Sequence, residues 1–172
     1  VLILVIPAYT ANGMALILGG GKPLDAGKSF IDGRRIFGDS KTVKGTLLGM
    51  ICGFLGALAV GLGATLARDA TGGTFTGYIA LGFASSVGAV IGDLAGSFIK
   101  RRLNLPCGSP APILDQFDFI VVAIALAYAI NASLQILEID FTVILTILIV
   151  TPFAHIIANL IVFSAGKKKQ PW

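Results

Sequence analysis

Five long apolar stretches, residues 1–18, 46–67, 78–99, 119–137 and 141–163, restrict the fold of this chain more than any other feature. Each is close to the roughly 17 to 25 residues that a helix needs to cross the hydrocarbon of a bilayer. Backbone in lipid must satisfy its own N–H and C=O groups, which leaves helices or closed barrels. Barrel strands would alternate apolar and polar residues over segments of about ten, a pattern absent here. The expected fold class is therefore all-α: one polytopic integral membrane domain over residues 1–172, with five transmembrane helices. Composition agrees, because 13% charged residues is half of the about 25% typical of soluble domains. A hydrophobic share of 55% also excludes disorder.

The charges set the orientation. Lys22, Lys28, Arg34, Arg35, Lys41 and Lys44 precede the second stretch, Lys100, Arg101 and Arg102 follow the third, and Lys167, Lys168 and Lys169 end the chain. Only Arg68 falls on the other side. The positive-inside rule then places the N-terminus outside and the C-terminus in the cytoplasm of a multi-pass cell-membrane protein. Loops 19–45 and 100–118 face the cytoplasm, and with them any active site. The net charge of +4 thus reports topology, and the expected partner is the bilayer, with no nucleic acid. No charged segment precedes the first apolar run, so no cleavable signal pattern is present, and the opening Val1 reads as a trimmed start. Cys52 lies mid-span and Cys107 in a basic loop, too far apart to pair, and both read as free structural residues.

Small residues recur every fourth position in the second span (Gly45, Gly49, Gly53, Ala57, Gly61) and the third (Ala84, Gly88, Gly92, Gly96). Such stripes let helix backbones approach closely in lipid. They predict that spans 2 and 3 form the centre of a tight bundle. They would serve a homodimer as readily as packing within one chain. Spans 4 and 5, richer in Ile, Leu and Val, are expected to face lipid, and Pro152 to kink span 5.

The loop from Gly19 to Gly45 is too long for an idle connection in a compact bundle. Gly19-Gly20-Gly21 offers backbone N–H groups beside Lys22, a workable phosphate cradle. Gly27-Lys28-Ser29 looks like the end of a Walker A loop, but five residues rather than four separate Gly21 from Gly27 and no strand precedes it. Asp32-Gly33-Arg34-Arg35 opens like the signature of CDP-alcohol phosphotransferases and then lacks its further aspartates.

The aspartates carry more. Asp93 sits seven residues before Lys100, roughly 10 Å inward along the third span at about 1.5 Å per residue. A carboxylate at such depth lines a polar cavity or pairs with another helix, and Ser97 and Lys100 share its face. Asp115 and Asp118, three residues apart at the start of span 4, would share a face of one helical turn. Two adjacent carboxylates repel unless a cation or proton lies between them. Asp93, Asp115 and Asp118 suit Mg²⁺, which takes a few carboxylates and completes its shell with water and phosphate oxygens. The competing reading is helix capping. His155 and Asn159 sit one turn apart in span 5, where a lone buried His reads as an interhelical hydrogen-bonding group rather than a ligand, and no nucleophilic triad can be assembled.

These motifs together resemble the CDP-archaeol synthases, CTP-dependent cytidylyltransferases of archaeal membrane-lipid synthesis related to the CTP:phosphatidate cytidylyltransferases. The resemblance covers the whole chain. It rests on Tyr9-Thr10-Ala11-Asn12, Lys22-Pro23-Leu24-Asp25, the run from Asp32 to Gly45, Gly92-Asp93-Leu94 with Ser97-Phe98 and Lys100-Arg101-Arg102, and Pro112 with Asp115-Gln116-Phe117-Asp118-Phe119. Lys44 stands where Arg is common, which keeps the charge. The resemblance implies CTP and an unsaturated isoprenoid glyceryl phosphate lipid as substrates, and a CDP-activated lipid and pyrophosphate as products. For that chemistry Asp93, Asp115, Asp118 and Lys41 are the expected catalytic residues, the three aspartates holding Mg²⁺. Arg34, Arg35, Lys41, Lys44 and Lys100 are expected on the phosphates, Gly20 and Lys22 in the cradle, Asp39 within the motif, and Asn12 or Asp25 near cytosine. A lipid-phosphate transporter or flippase, or a CDP-alcohol phosphotransferase, is the alternative.

Overall fold

The computed structural model describes residues 1–67, 73–164 and 166; Arg68, Lys167, Lys168 and Lys169 lie outside the described residues. Five helices follow in chain order: α1 (Leu2–Ile17), α2 (Val43–Leu66), α3 (Phe75–Arg102), α4 (Pro112–Leu134) and α5 (Phe141–Ser164). Helices α2 to α5 are long and apolar enough to cross a membrane, whereas α1 is a shorter apolar helix of 16 residues. It ends where Gly20 and Gly21 take positive φ angles (119° and 81°), a conformation that stops a helix.

The helix ends differ from the expected spans for local reasons. Helix α3 continues three residues past Ile99 because Lys100, Arg101 and Arg102 contain no breaker and place three cations in its last turn, where the helix dipole favours them. Helix α4 starts seven residues before Phe119, since Pro112 at its first positions has φ preset for a helix. It ends at Leu134 rather than residue 137: Gln135 takes a left-handed conformation, and the Asn131 side chain accepts from Ile136 N and Leu137 N and donates to the Leu137 carbonyl. The second basic loop thus contracts from 100–118 to residues 103–111.

The centre of the bundle also differs from expectation. Helix α3 packs against α1, α2 and α4, and α1 touches all four others. Helix α2 is peripheral: its buried positions are Gly45, Gly49, Gly53, Ala57 and Gly61, and its other faces are open. A stripe of small residues requires close neighbours on one face, not encirclement. A Cβ added at Gly49 would meet Ala15 Cβ of α1 at 2.8 Å, and one at Gly53 would meet Ser86 Cβ of α3 at 2.5 Å and Ala11 Cβ of α1 at 2.8 Å, so the α2 stripe grips α1 and α3. The α3 stripe grips α4: a Cβ at Gly88 would lie 2.7 Å from Ala123 Cα, and one at Gly92 2.8 Å from Phe119 Cα. Both stripes are therefore occupied within the chain, which leaves a homodimer without either as its seam. Helix α5 is the most exposed, as its composition predicts, and it runs through Pro152 to Ser164.

Candidate active site

The first loop is folded around one buried carboxylate. Asp25 is 5% exposed, and its Oδ1 accepts from Gly27 N (3.1 Å) and Arg35 Nη2 (2.6 Å). Its Oδ2 accepts from Phe37 N (3.0 Å), Gly38 N (2.9 Å) and Arg35 Nε (3.3 Å). Burial alone would raise this carboxyl, but the Arg35 guanidinium and the three backbone N–H groups hold it well below the ordinary carboxylate range. Arg35 is correspondingly raised, first by Asp25 and then by Asp39, whose Oδ1 lies 2.9 Å from Nη1. The Asx turn at Asp25 needs the positive φ of Ala26 (48°) and Gly27 (81°).

The base of the loop is tied to α2 and α3. Leu24 N donates to the Lys41 carbonyl (2.7 Å) and Val43 N to that of Lys22 (3.1 Å), so residues 22–24 run antiparallel to 41–43. Thr42 caps α2, its Oγ1 accepting from Gly45 N and Gly20 N, each at 3.1 Å. Lys41, held immediately before this cap, extends to α3, where Nζ donates to both oxygens of Asp93 at 2.6 Å. At the tip, Arg102 from the end of α3 stacks on Phe98 (4.6 Å to the centroid) and Phe30 (5.1 Å) and donates through Nη2 to the Arg34 and Arg35 carbonyls. Its Nε lies 3.2 Å from Asp32 Oδ2, an ion pair out of hydrogen-bond alignment. Arg34 Nη1 donates back to the Arg102 carbonyl.

One cavity of about 400 Å³ opens beneath this arrangement. Lys41, Asp93, Ser97, Lys100, Asp115 and Asp118 are its polar lining, and Asn12 and Arg101 border it. Lys100 Nζ donates to Asp115 Oδ1, while Asp115 Oδ2 accepts from Ala111 N (2.9 Å) at the start of α4. Capping and ion pairing thus both describe Asp115. Asp118 differs. Among the described residues it pairs with no cation; Oδ1 accepts from Phe119 N (2.6 Å), and the carboxylate packs over Gly96, which has no side chain to obstruct it. It lies within Coulombic range of Asp93, Lys41 and Lys100. Three carboxylates and three cations line the cavity, whose formal charge is therefore zero. Apolar residues line it too, Leu16 and Ile17 of α1 and Ala154, Ala158, Ile161 and Val162 of α5, along with His155 and Asn159.

The structure brings together Asn12, Lys41, Asp93, Ser97, Lys100, Asp115 and Asp118 from the sequence reading, and it leaves others out. Gly20, Lys22, Asp25, Arg34, Arg35, Asp39 and Lys44 do not line the cavity. The Gly20 N–H is occupied by Thr42, Asp25 and Arg35 are occupied with each other, and Lys22 and Lys44 point to the surface. Sequence reasoning missed Arg101, Tyr9 and the inward face of His155. Arg101 is buried, donating to Cys107 Sγ (2.7 Å) and the Pro106 carbonyl (3.2 Å), and nothing in a run of three bases singles out which one turns inward. Tyr9 bonds Thr151 at 2.8 Å, and His155 and Asn159 contact each other at 3.2 Å along α5, a contact within one helix. Gly27-Lys28-Ser29 leads into an isolated bridge to Arg35, not into a helix, as expected of a decoy.

The profile of the CarS-like family, described as CDP-archaeol synthase, matches residues 1–172. The CDP-archaeol synthase of Methanocaldococcus jannaschii is 42% identical over 98% of this chain and 93% of its own. That of Thermococcus gammatolerans is 43% identical over 98% and 92%, and that of Methanococcoides burtonii 40% identical over 97% and 99%. A solved structure of an intramembrane enzyme for archaeal membrane lipid biosynthesis aligns with a TM-score of 0.75 and 34% identity, covering 91% of this chain and 90% of that one.

Proposed function

The chain belongs to the CDP-archaeol synthase family, and from that membership we propose that it transfers the CMP moiety of CTP to an isoprenoid glyceryl ether phosphate, with Mg²⁺, releasing pyrophosphate. It is a membrane transferase of lipid synthesis, a lipid cytidylyltransferase. The carrying observation is a cavity lined by both paired lysines and carboxylates and apolar α1 and α5 side chains. An acceptor that is a phosphate at its head and isoprenoid along its tails suits such a mixed lining.

The acceptor phosphate, with a second pKa near 6, is largely dianionic at neutral pH and is itself the nucleophile. It attacks the α-phosphorus of CTP, the new P–O bond forms as the bond to pyrophosphate breaks, and no protein base or covalent intermediate is required. The chain's own task is to hold two polyanions in line and balance charge building on the leaving group. Lys41 and Lys100 are placed for this, and Lys41 already holds a carboxylate that a phosphate oxygen can replace.

A cavity of zero formal charge does not by itself neutralise a triphosphate and a phosphate monoester, which is why a divalent cation fits. No three acidic, His or Cys residues among the described ones cluster into a metal cage. Mg²⁺ does not need one, taking one or two carboxylates plus substrate phosphates. Asp118, which pairs with no cation among the described residues, would hold it with Asp93 once Lys41 turns to phosphate, leaving Asp115 on Lys100 rather than in the expected set of three. When bound, the ion supplies Lewis-acid charge stabilisation across the phosphates.

Five crossings, with the N-terminus outside and this cavity facing the cytoplasm, complete the proposal. CTP is a cytoplasmic solute, and Lys41, Lys100, Arg101 and Arg102 all lie at the cavity's end of the bundle. The test is pyrophosphate release by the purified protein with Mg²⁺, a polyprenyl glyceryl phosphate and each nucleoside triphosphate in turn. Release requiring lipid, metal and CTP together supports the proposal, and release without lipid contradicts it.

A further inference from the structure

Arg102 is absent from the cavity yet makes more contacts to the first loop than the other cations of α3. Its guanidinium stacks on Phe98 of its own helix and Phe30 of the loop, donates to two loop carbonyls and pairs with Asp32, while Arg34 returns a bond to its carbonyl. The side chain is 21% exposed, so these contacts are largely shielded from water. From the tip, the covalent and hydrogen-bonded path runs through Arg35 to Asp25, to Leu24, and by Leu24 N to the Lys41 carbonyl. Lys41 then reaches Asp93 at 2.6 Å.

We propose that Arg102 is a positioning residue that clamps the first loop to the end of α3 and thereby sets Lys41 over the nucleotide site. The inference rests on the functional reading above, in which Lys41 meets the triphosphate. Arginine is required at this position because its guanidinium lies against the edge-to-face pair Phe30 and Phe98 while its Nη2 donates to carbonyls. A lysine keeps the charge and loses both the stacking and the fork. The surface loop has no apolar core of its own to replace the clamp: Ile31 at its tip is 94% exposed and Phe30 43%.

The test compares wild type, Arg102→Lys and Phe98→Leu in detergent. Pyrophosphate release is measured against CTP concentration at saturating lipid, and tryptic cleavage after Arg34 and Arg35 is followed by mass. Arg102→Lys is expected to raise KM for CTP about tenfold while kcat falls by less than about threefold, and to speed loop cleavage about tenfold. Phe98→Leu, which keeps the bulk and removes the ring, should shift both readouts in the same direction by less. Lys28→Ala, on the exposed loop surface, should shift neither. Wild-type KM and cleavage in Arg102→Lys, or a loss confined to kcat, overturns the proposal. Should wild type release no pyrophosphate with CTP, the functional reading fails, and with it the Lys41 role. The cleavage arm then decides the clamp alone: faster cleavage in both variants upholds it, unchanged cleavage removes it.

Discussion

At the scale of the residue, two aspartates do opposite work. Asp25 has its oxygens occupied by five donor atoms and organises the loop. Asp118 has one backbone donor and an open side towards the cavity. Asp118→Asn, a near-isosteric loss of charge, should therefore lower turnover about 100-fold or more while the helix content and melting midpoint in detergent stay close to wild type; wild-type turnover would remove Asp118 from the site. Asp25→Asn should act on stability instead, because hydrogen bonds to a charged group contribute about 1.5–3 kcal/mol. Its pH dependence has a definite sign. The folded-state carboxyl is lowered relative to an unfolded value near 3.9, so the stabilisation is fully present above that value and fades as pH falls towards the folded one. The gap in melting midpoint between wild type and Asp25→Asn should be constant from about pH 8 to pH 5 and narrow below about pH 4. A gap that widens in acid would contradict the assignment.

At the scale of the element, the glycines of α3 decide where the carboxylates of α4 stand. Gly88 and Gly92 bring the α4 backbone into contact, and Gly96 leaves room for Asp118. Gly92→Val should cost about 1–3 kcal/mol by overpacking and should abolish activity as well, since α4 is pushed away together with Asp115 and Asp118. Gly63→Ala in α2, where a Cβ meets nothing within 4 Å, is the matched control and should be neutral or slightly stabilising. A comparable loss in Gly63→Ala would mean that close contact with a neighbouring helix does not distinguish these positions. The same spacing of small residues serves α2, yet there it joins α1 and α3 and no acidic residue packs over it.

At the scale of the whole molecule, the site exists only where three parts meet: the first loop with Lys41, the end of α3 with Asp93 and Lys100, and the start of α4 with Asp115 and Asp118. On the proposed function both substrates occupy this one cavity together, because the lipid phosphate is itself the nucleophile and no covalent intermediate is required. The expected rate law is sequential, with intersecting double-reciprocal lines when CTP and lipid are varied. Labelled pyrophosphate should not exchange into CTP without lipid, and such exchange would demand a cytidylyl-enzyme.

Much of this was legible from the chain alone, and the reason is physical. Apolar length reports helices in lipid, because backbone there can only satisfy itself; glycine spacing reports close contacts; and a carboxylate seven residues inside an apolar span must face something polar. Asp93 follows from the last of those rules and Asp115 and Asp118 from their three-residue spacing, whereas Lys41 and Lys100 stand among several loop bases that the sequence does not rank. The tertiary structure decided the rest. Asp25, Arg35 and Lys41 lie in one loop rich in charge, and local spacing does not distinguish a residue that folds the loop from one that meets a ligand; only the Arg35–Asp25 and Lys41–Asp93 pairings do so. The periphery of α2, the inward turn of Arg101 and the clamp at Arg102 likewise depend on contacts between segments distant in sequence, to which periodicity within one segment is blind.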